Sequence, residues 1–295
     1  MKLGDTFIED TYAEAFSMRF ARVIVTAHDD YWVETAVREF SGYGTSIIGC
    51  DAEVGCERTL SPDETPDGRP GRAVLLFGMS TESLGKAVAK RTGQCLMTCA
   101  TTAVFDGLVD ATDRLPLGSF IRFFGDGFQR CKIVGGRKYW RIPASDGEFV
   151  VEDSIGTKKG VAGGNLIIQA VNLSVGLSAA RRAADALREL PGVVTPFPGG
   201  IVRSGSKVGS RYKKLVASTN EAYCPDLRGR VPSQLHPDAN CAYEIVIDGE
   251  SEAAVKSAMG LAAKAAVGSG VLLIGAANYG GNLGKYHLSL REVVG

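Results

Sequence analysis

Apolar patterning runs through the first half of the chain in two cycles and through the second half in two more. Residues 21–25 form an apolar run of strand length. Trp32, Ala36, Val37 and Phe40 then recur at helical spacing, and 45–49 is expected to return as a strand. The next cycle opens with the run 73–77. Ser80-Thr81-Glu82 reads as a helix start, with Leu84, Ala87 and Val88 as its buried stripe, and 94–97 leaves as a strand. Glycines and prolines across 61–71 separate the two cycles.

In the second half, 166–170 reads as a strand, followed by a helix with Leu177, Ala180, Ala184 and Leu187 on one face. Pro191-Gly192 ends that helix and 193–196 follows as a strand. Residues 243–247 alternate. Ser251-Glu252 starts a helix carrying Val255, Met259, Ala262 and Ala266, and 271–274 closes the cycle. Two tandem βαβ units make a split βαβ lobe, so the pattern predicts an α+β fold of two fused ferredoxin-like lobes from an internal duplication. The expected division is 1–145, with connecting hairpins, and 146–295. Hairpins are expected at 123–124, 138–142 and 148–152. The same alternation would also fit an open doubly wound sheet.

Composition narrows the function classes. With 45% hydrophobic and 22% charged residues in 295, the chain can bury a large core. Lys plus Arg and Asp plus Glu number 33 each, so no global field draws it to nucleic acid or to an anionic membrane, and neither is expected as a partner. No run approaches the roughly 20 apolar residues of a membrane span, and the charged N-terminus lacks a signal peptide's apolar stretch. The expected location is cytoplasmic, with the seven scattered cysteines as reduced thiols.

Familiar motifs are few. The glycine-rich stretches match neither a dinucleotide fingerprint nor a Walker loop. Cys95 and Cys99 lack a second ligand pair at zinc spacing, and His28, His236 and His287 lie far apart, so no metal site is expected. What remains are four loops rich in glycine and small polar residues, at 65–71, 156–165 (GTKKGVAGGN), 195–207 (TPFPGGIVRSGSK) and 278–286 (NYGGNLGKY), where a ligand can approach the backbone. Arg203, Lys207, Arg211, Lys213 and Lys214 follow one another without an intervening acid. They fit an anionic ligand tail, with Lys158 and Lys159 as possible contributors, or equally a solvated basic loop. Within 243–248, alternation puts Tyr243, Ile245 and Ile247 on one face and Glu244, Val246 and Asp248 on the other. Desolvation beside Val246 would raise the Glu244 carboxyl into the range of a neutral-pH acid; an exposed, lysine-paired glutamate is the plainer alternative.

The phrases TPDGRPG (65–71), TTAVFDG (101–107), FFGDGF (123–128), KKGVAGGN (158–165), TPFPGGIVRSGSKVG (195–209), YEIVIDG (243–249) and NYGGNLGKY (278–286) together resemble the formylmethanofuran:tetrahydromethanopterin formyltransferase family. The likeness runs from FIEDTYAEAF (7–16) to 290–292. Thr92, Ala100 and Asn282 depart from the family's usual residues, which bears on affinity for a particular carrier.

The resemblance implies an enzyme of one-carbon metabolism, in methanogenesis or methylotrophy. It would move a formyl group from a furan-amine carrier to reduced pterin by direct acyl transfer, with both carriers as substrates and no tightly bound cofactor. It also implies either a homo-oligomer or a subunit of a formyltransferase/hydrolase complex, and the balanced charge leans toward the bacterial, complex-borne form. Glu244 is the implied catalytic acid. Carrier contacts are expected from Gly199, Gly200, Ser204, Ser206, Lys207, Arg211, Lys213, Lys158, Lys159, Tyr279, Gly280 and Gly281, with backbone N–H groups of the paired glycines as oxyanion donors. Two rivals are a non-catalytic scaffold that positions the carrier and a hydrolase releasing formate.

Overall fold

Four cycles of strand and helix are present in the computed structural model, which describes residues 1–203 and 206–295, with Ser206 as backbone only. The elements used below are strands β1 (Thr6–Ile8), β2 (Tyr12–Thr26), β3 (Glu53–Leu60), β4 (Gly71–Gly78), β5 (Ala103–Asp106), β6 (Ser154–Ala170), β7 (Val193–Val194), β8 (Cys241–Gly249) and β9 (Val271–Gly275). The helices are α1 (Asp30–Ser41), α2 (Thr81–Arg91), α3 (Leu173–Leu187) and α4 (Glu252–Ala266). Two compact units divide the chain, one of Met1–Ser17 with Val161–Gly295 and the other of Met18–Gly160. Both boundaries fall within long strands, β2 and β6.

In the unit Met18–Gly160 the strand order is β5-β2-β4-β3, antiparallel throughout. Helices α1 and α2 each begin where a short polar side chain caps a free N–H. Asp29 accepts from Trp32 and Ser80 from Ser83, contacts typically worth about 1 kcal/mol each. Val33, Ala36, Val37 and Phe40 of α1, and Leu84, Ala87 and Val88 of α2, are buried against Val23, Val25, Val74 and Leu76 of the sheet.

Three expectations fail here. Residues 45–49 form turns, with Ser46 O accepting from both Gly49 and Cys50, and the strand comes later as β3. Its sequence, EVGCERTL, hides the pattern because Glu53 and Glu57 are themselves buried. Residues 94–97 prolong α2 through a π-helical turn, Thr92–Leu96, and the returning strand is β5. Phe123 and Phe124 lie in a 3-10 turn, Arg122–Gly125, rather than a hairpin.

In the other unit the order is β9-β6-β8-β7, again antiparallel, and β1 adds to β9 in parallel. Helices α3 and α4 cover one face. Tyr243, Ile245 and Ile247 pack there with Val255, Met259, Ala262 and Ala266, each fully buried Val, Ile or Met side chain being worth about 1.5–3 kcal/mol. The buried stripe of α3 is Gly176, Ala179, Ala180, Ala183, Ala184 and Leu187, and Leu177 points outward. The stretch GTKKGVAGGN, expected as a loop, lies inside β6. Its glycines serve packing: a Cβ on Gly164 would overlap Val255 of α4, and the register shifts between Val161 and Gly164.

Candidate active site

The pleat of the sheet β9-β6-β8 decides which side chains meet on the face away from the helices. Asn165 stands opposite Val246, Ile167 opposite Glu244, and Gln169 opposite Ala242. Ile167 also stands opposite Gly275, and Gln169 opposite Leu273. Directly opposed residues share a face, so one row across the sheet reads Gly275, Ile167, Glu244. β1 runs beside β9 with Ile8 at Ile274, and the Glu9 N–H donates to Ile274 O at 3.0 Å, which brings Glu9 to the Gly275 end of that row.

Glu244 is partly exposed, yet burial by its surroundings pushes its carboxyl up to about 7. Among the described residues no ion pair holds it, so the cost of removing a carboxylate from water goes uncompensated and the neutral acid is favoured. A carboxyl poised near neutrality can both give and take a proton. Its backbone is fixed by a two-way bridge to Val202, with Val202 N–H donating to Glu244 O at 2.8 Å and Glu244 N–H to Val202 O at 3.2 Å.

Two tyrosines feel its charge. Tyr223 is pushed up to about 12, by burial first and then by the carboxylates of Glu9 and Glu244. Tyr279 is raised by burial, then by Glu244 and Glu14. Both phenols therefore stay protonated as O–H donors across the physiological range. Burial also raises the Glu9 carboxyl.

The loop bearing Tyr279 is organised by one buried side chain. Glu14 accepts four backbone N–H groups, from Tyr279 (2.7 Å) and Gly281 (2.9 Å) on one oxygen and from Leu283 (2.6 Å) and Gly284 (2.5 Å) on the other. Burial opposes ionisation, but those four donors outweigh it and hold the carboxyl down at about 2. Asn165 secures the base of the same loop, accepting from Ala277 N–H at 2.6 Å and donating to Ala277 O at 3.1 Å. Positive φ at Gly280 and Gly281, +71° and +77°, lets the loop turn inside this clamp.

Of the residues singled out in the sequence, Glu244 and Tyr279 are brought into electrostatic contact. Gly280 N–H donates to Asn278 Oδ1, Gly281 N–H to Glu14, and Gly200 N–H to Phe197 O, so these three are already engaged rather than free oxyanion donors. Gly199 is exposed, at φ +63° in the turn before Val202. Ser204 lies outside the described residues, and Ser206 opens a two-stranded hairpin with Ala217–Thr219. Lys207 is tied to Glu221 in a short ion pair, which neutralises part of the basic stretch. Arg203, Arg211, Lys213 and Lys214 are exposed. Lys158 and Lys159 are exposed on β6 within the unit Met18–Gly160.

Glu9, Glu14 and Tyr223 escaped the sequence reading. Each acts on residues hundreds of positions away or inside an irregular turn, where spacing carries no signal. Among the described residues no group of three or more His, Cys, Asp or Glu is placed to hold a metal ion, and no helix is long and apolar enough to cross a membrane.

Comparison with known proteins adds an independent line. Residues 1–144 match the family model described as formylmethanofuran-tetrahydromethanopterin formyltransferase, and 147–293 match its proximal lobe. The formylmethanofuran–tetrahydromethanopterin formyltransferase of Methylobacillus flagellatus is 48% identical over 301 aligned positions, covering all of both chains. The solved enzyme of that activity from Methanosarcina barkeri superposes with a TM-score of 0.94 at 45% identity, over 99% of this chain and 100% of that one. A chain in the formyltransferase/hydrolase complex of Methylorubrum extorquens, solved with methylofuran, reaches 0.96 at 46% identity, covering 100% and 99%.

Proposed function

From the premise that the chain belongs to the formylmethanofuran–tetrahydromethanopterin formyltransferase family, we propose that Glu244 carries the proton traffic of a direct formyl transfer. The chain is a formyltransferase, moving a formyl group between a methanofuran-type amine and tetrahydromethanopterin to give the 5-formyl pterin. The observation that carries the catalytic reading is a half-buried carboxyl raised to about 7 on the face of the sheet away from the helices.

The chemistry is acyl transfer between amines. The pterin nitrogen attacks the formamide carbon, the carbonyl π pair moves to oxygen, and the carrier nitrogen leaves once protonated. Holding both carriers together in a ternary complex supplies much of the barrier reduction by orientation. Neutral Glu244 donates to the leaving nitrogen as the intermediate collapses, its carboxylate takes the proton of the attacking nitrogen and is thereby restored, and the Tyr279 hydroxyl, kept protonated, is the oxyanion donor that the engaged glycine N–H groups are not. Arg203, Arg211 and Lys213 are the exposed cations for an anionic carrier tail, and the turn at Gly199-Gly200 and the loop Tyr279-Gly280-Gly281 offer backbone near the carriers.

The strand order β5-β2-β4-β3 in one unit and β9-β6-β8-β7 in the other supports two ferredoxin-like lobes from duplication. Each reads fourth, first, third, second in order of appearance. A repeat boundary near 145 is supported by the break between the two family models. The likeness to a chain of a formyltransferase/hydrolase complex supports a place in such an assembly, where a carrier-positioning scaffold role is the second reading.

Purified chain mixed with formylated carrier and tetrahydromethanopterin separates the two. Appearance of formyl-pterin absorbance is expected, with Glu244→Gln lowering kcat about 10²–10⁴-fold while KM for either carrier stays within about threefold. No product from the wild-type chain would favour the scaffold, and near-normal turnover in the variant would remove Glu244 from the proton-handling role.

A further inference from the structure

A backbone clamp fixes a loop but not the direction of a side chain that the loop carries. Glu14 holds the Tyr279 N–H at 2.7 Å, yet among the described residues no hydrogen bond reaches the Tyr279 hydroxyl. An oxyanion donor is effective when it is aimed before the charge develops, and a phenol free to swing about its side-chain torsions would have to be ordered in each turnover. The direction of this hydroxyl is therefore set by the surface its ring packs against.

That surface comes from one face of β2. Strand alternation puts Tyr12, Glu14 and Phe16 on the same side, and all three meet the 279–284 loop. Glu14 takes four of its N–H groups. The Tyr12 ring packs 5.0 Å from that of His287, and a Cβ on Gly281 would stand 3.2 Å from the Tyr12 hydroxyl and 3.1 Å from His287 Cε1, so this pair backs the glycine turn. Phe16 stands against Tyr279 itself, with ring centroids 6.2 Å apart and planes tilted by 57°, the separation of an attractive aromatic pair.

Phe16 in turn has a seat in β6. Gly163, in the register shift between Val161 and Gly164, takes φ +92°, and its N–H donates to Asp248 Oδ1 at 2.9 Å. A Cβ on Gly163 would stand 3.3 Å from Phe16 Cδ2 and 3.7 Å from Cε2, so a side chain there would press the ring off the strand.

We propose that Phe16, seated on Gly163, is a positioning residue that aims the Tyr279 hydroxyl at the formyl oxygen. This rests on the reading of Tyr279 as the oxyanion donor. Phe16 moves no proton and acts only through the tyrosine, so its loss removes stabilisation made in the transition state and leaves carrier binding in place.

The test measures steady-state kinetics of the full chain with both carriers, with turnover referred to folded protein by far-UV circular dichroism. Phe16→Ala, and Phe16→Leu, which keeps apolar bulk without a planar ring, are each expected to lower kcat about tenfold with both KM values within about twofold. The leucine variant carries the test if the alanine variant does not fold. Phe16→Tyr, which restores a ring, should recover most of the loss. Tyr279→Phe should lower kcat about 10²-fold, and adding Phe16→Leu to it should cost nothing further, because the aim of a hydroxyl is immaterial once the hydroxyl is gone. Wild-type kcat in Phe16→Leu, a tyrosine variant as poor as the leucine one, or losses that multiply in the double variant would overturn the proposal. If Tyr279→Phe is crippled while the Phe16 variants are normal, the positioning role alone falls; if Tyr279→Phe is itself normal, the reading beneath it falls.

Discussion

The two compact units share a strand order and a pair of covering helices, but they treat buried charge in opposite ways. In the unit Met18–Gly160 the buried acids are neutralised by arginines. Arg22 grips Glu57 at 2.6 and 2.8 Å, Arg114 reaches Asp106 at 2.7 Å, and Arg137 pairs with Glu152. In the other unit Glu244 and Glu9 lie on the side of the sheet away from the helices with no ion pair among the described residues, and burial raises both. One fold thus serves two purposes. Paired charges fix a structure, while the unpaired Glu244 keeps a proton available near neutral pH at some cost in stability.

Breaking a pair and breaking the unpaired acid should therefore have opposite signatures. The largest effect expected is on activity, where Glu244→Gln removes two to four orders of magnitude from kcat. Glu57→Ala should remove one side of the Arg22–Glu57 pair and destabilise by about 3–5 kcal/mol in denaturant unfolding, with turnover of the remaining folded protein little changed. Glu14→Gln, which loses the charge clamping four N–H groups, should cost about 3 kcal/mol and lower kcat by loosening the Tyr279 loop.

The pH dependence sharpens the contrast. The folded Glu244 carboxyl lies at about 7, above its usual 4.5, so the folded state binds more protons between those values and stability falls as pH rises through that window. Glu244→Gln should relieve this, gaining on the order of 3 kcal/mol at pH 8 and almost nothing at pH 4.5. Glu14 has the reverse sign: held at about 2, its contribution is complete above 4.5 and is lost as pH falls through 2. The smallest effect belongs to the exposed cations. Arg211→Ala with Lys213→Ala should raise the carrier KM only a few-fold, and less as salt increases.

Much of this was legible in the sequence where local periodicity decides the outcome. Alternation in 243–248 puts Tyr243, Ile245 and Ile247 on one face and Glu244 on the other, and the burial along β8 agrees for these residues. The helix faces of α1, α2 and α4 followed from spacing for the same reason. Residues 45–49 and 94–97 misled because a short apolar run does not distinguish strand from turn or helix extension, and because β3 buries two glutamates where alternation looks for apolar side chains. GTKKGVAGGN read as a loop because glycine there serves close strand–helix approach rather than turning. Glu14 and Glu9 were illegible for a different reason: their partners, the 279–284 amides and Gly275, are more than 260 residues away and meet them only through the sheet.

The central claim is that Glu244 is a neutral-pH acid. Infrared difference titration of the carboxyl C=O stretch, wild type minus Glu244→Gln, measures it directly. A protonated carboxyl band that disappears with a midpoint near pH 7 is predicted, and a midpoint between 4 and 5 would contradict it.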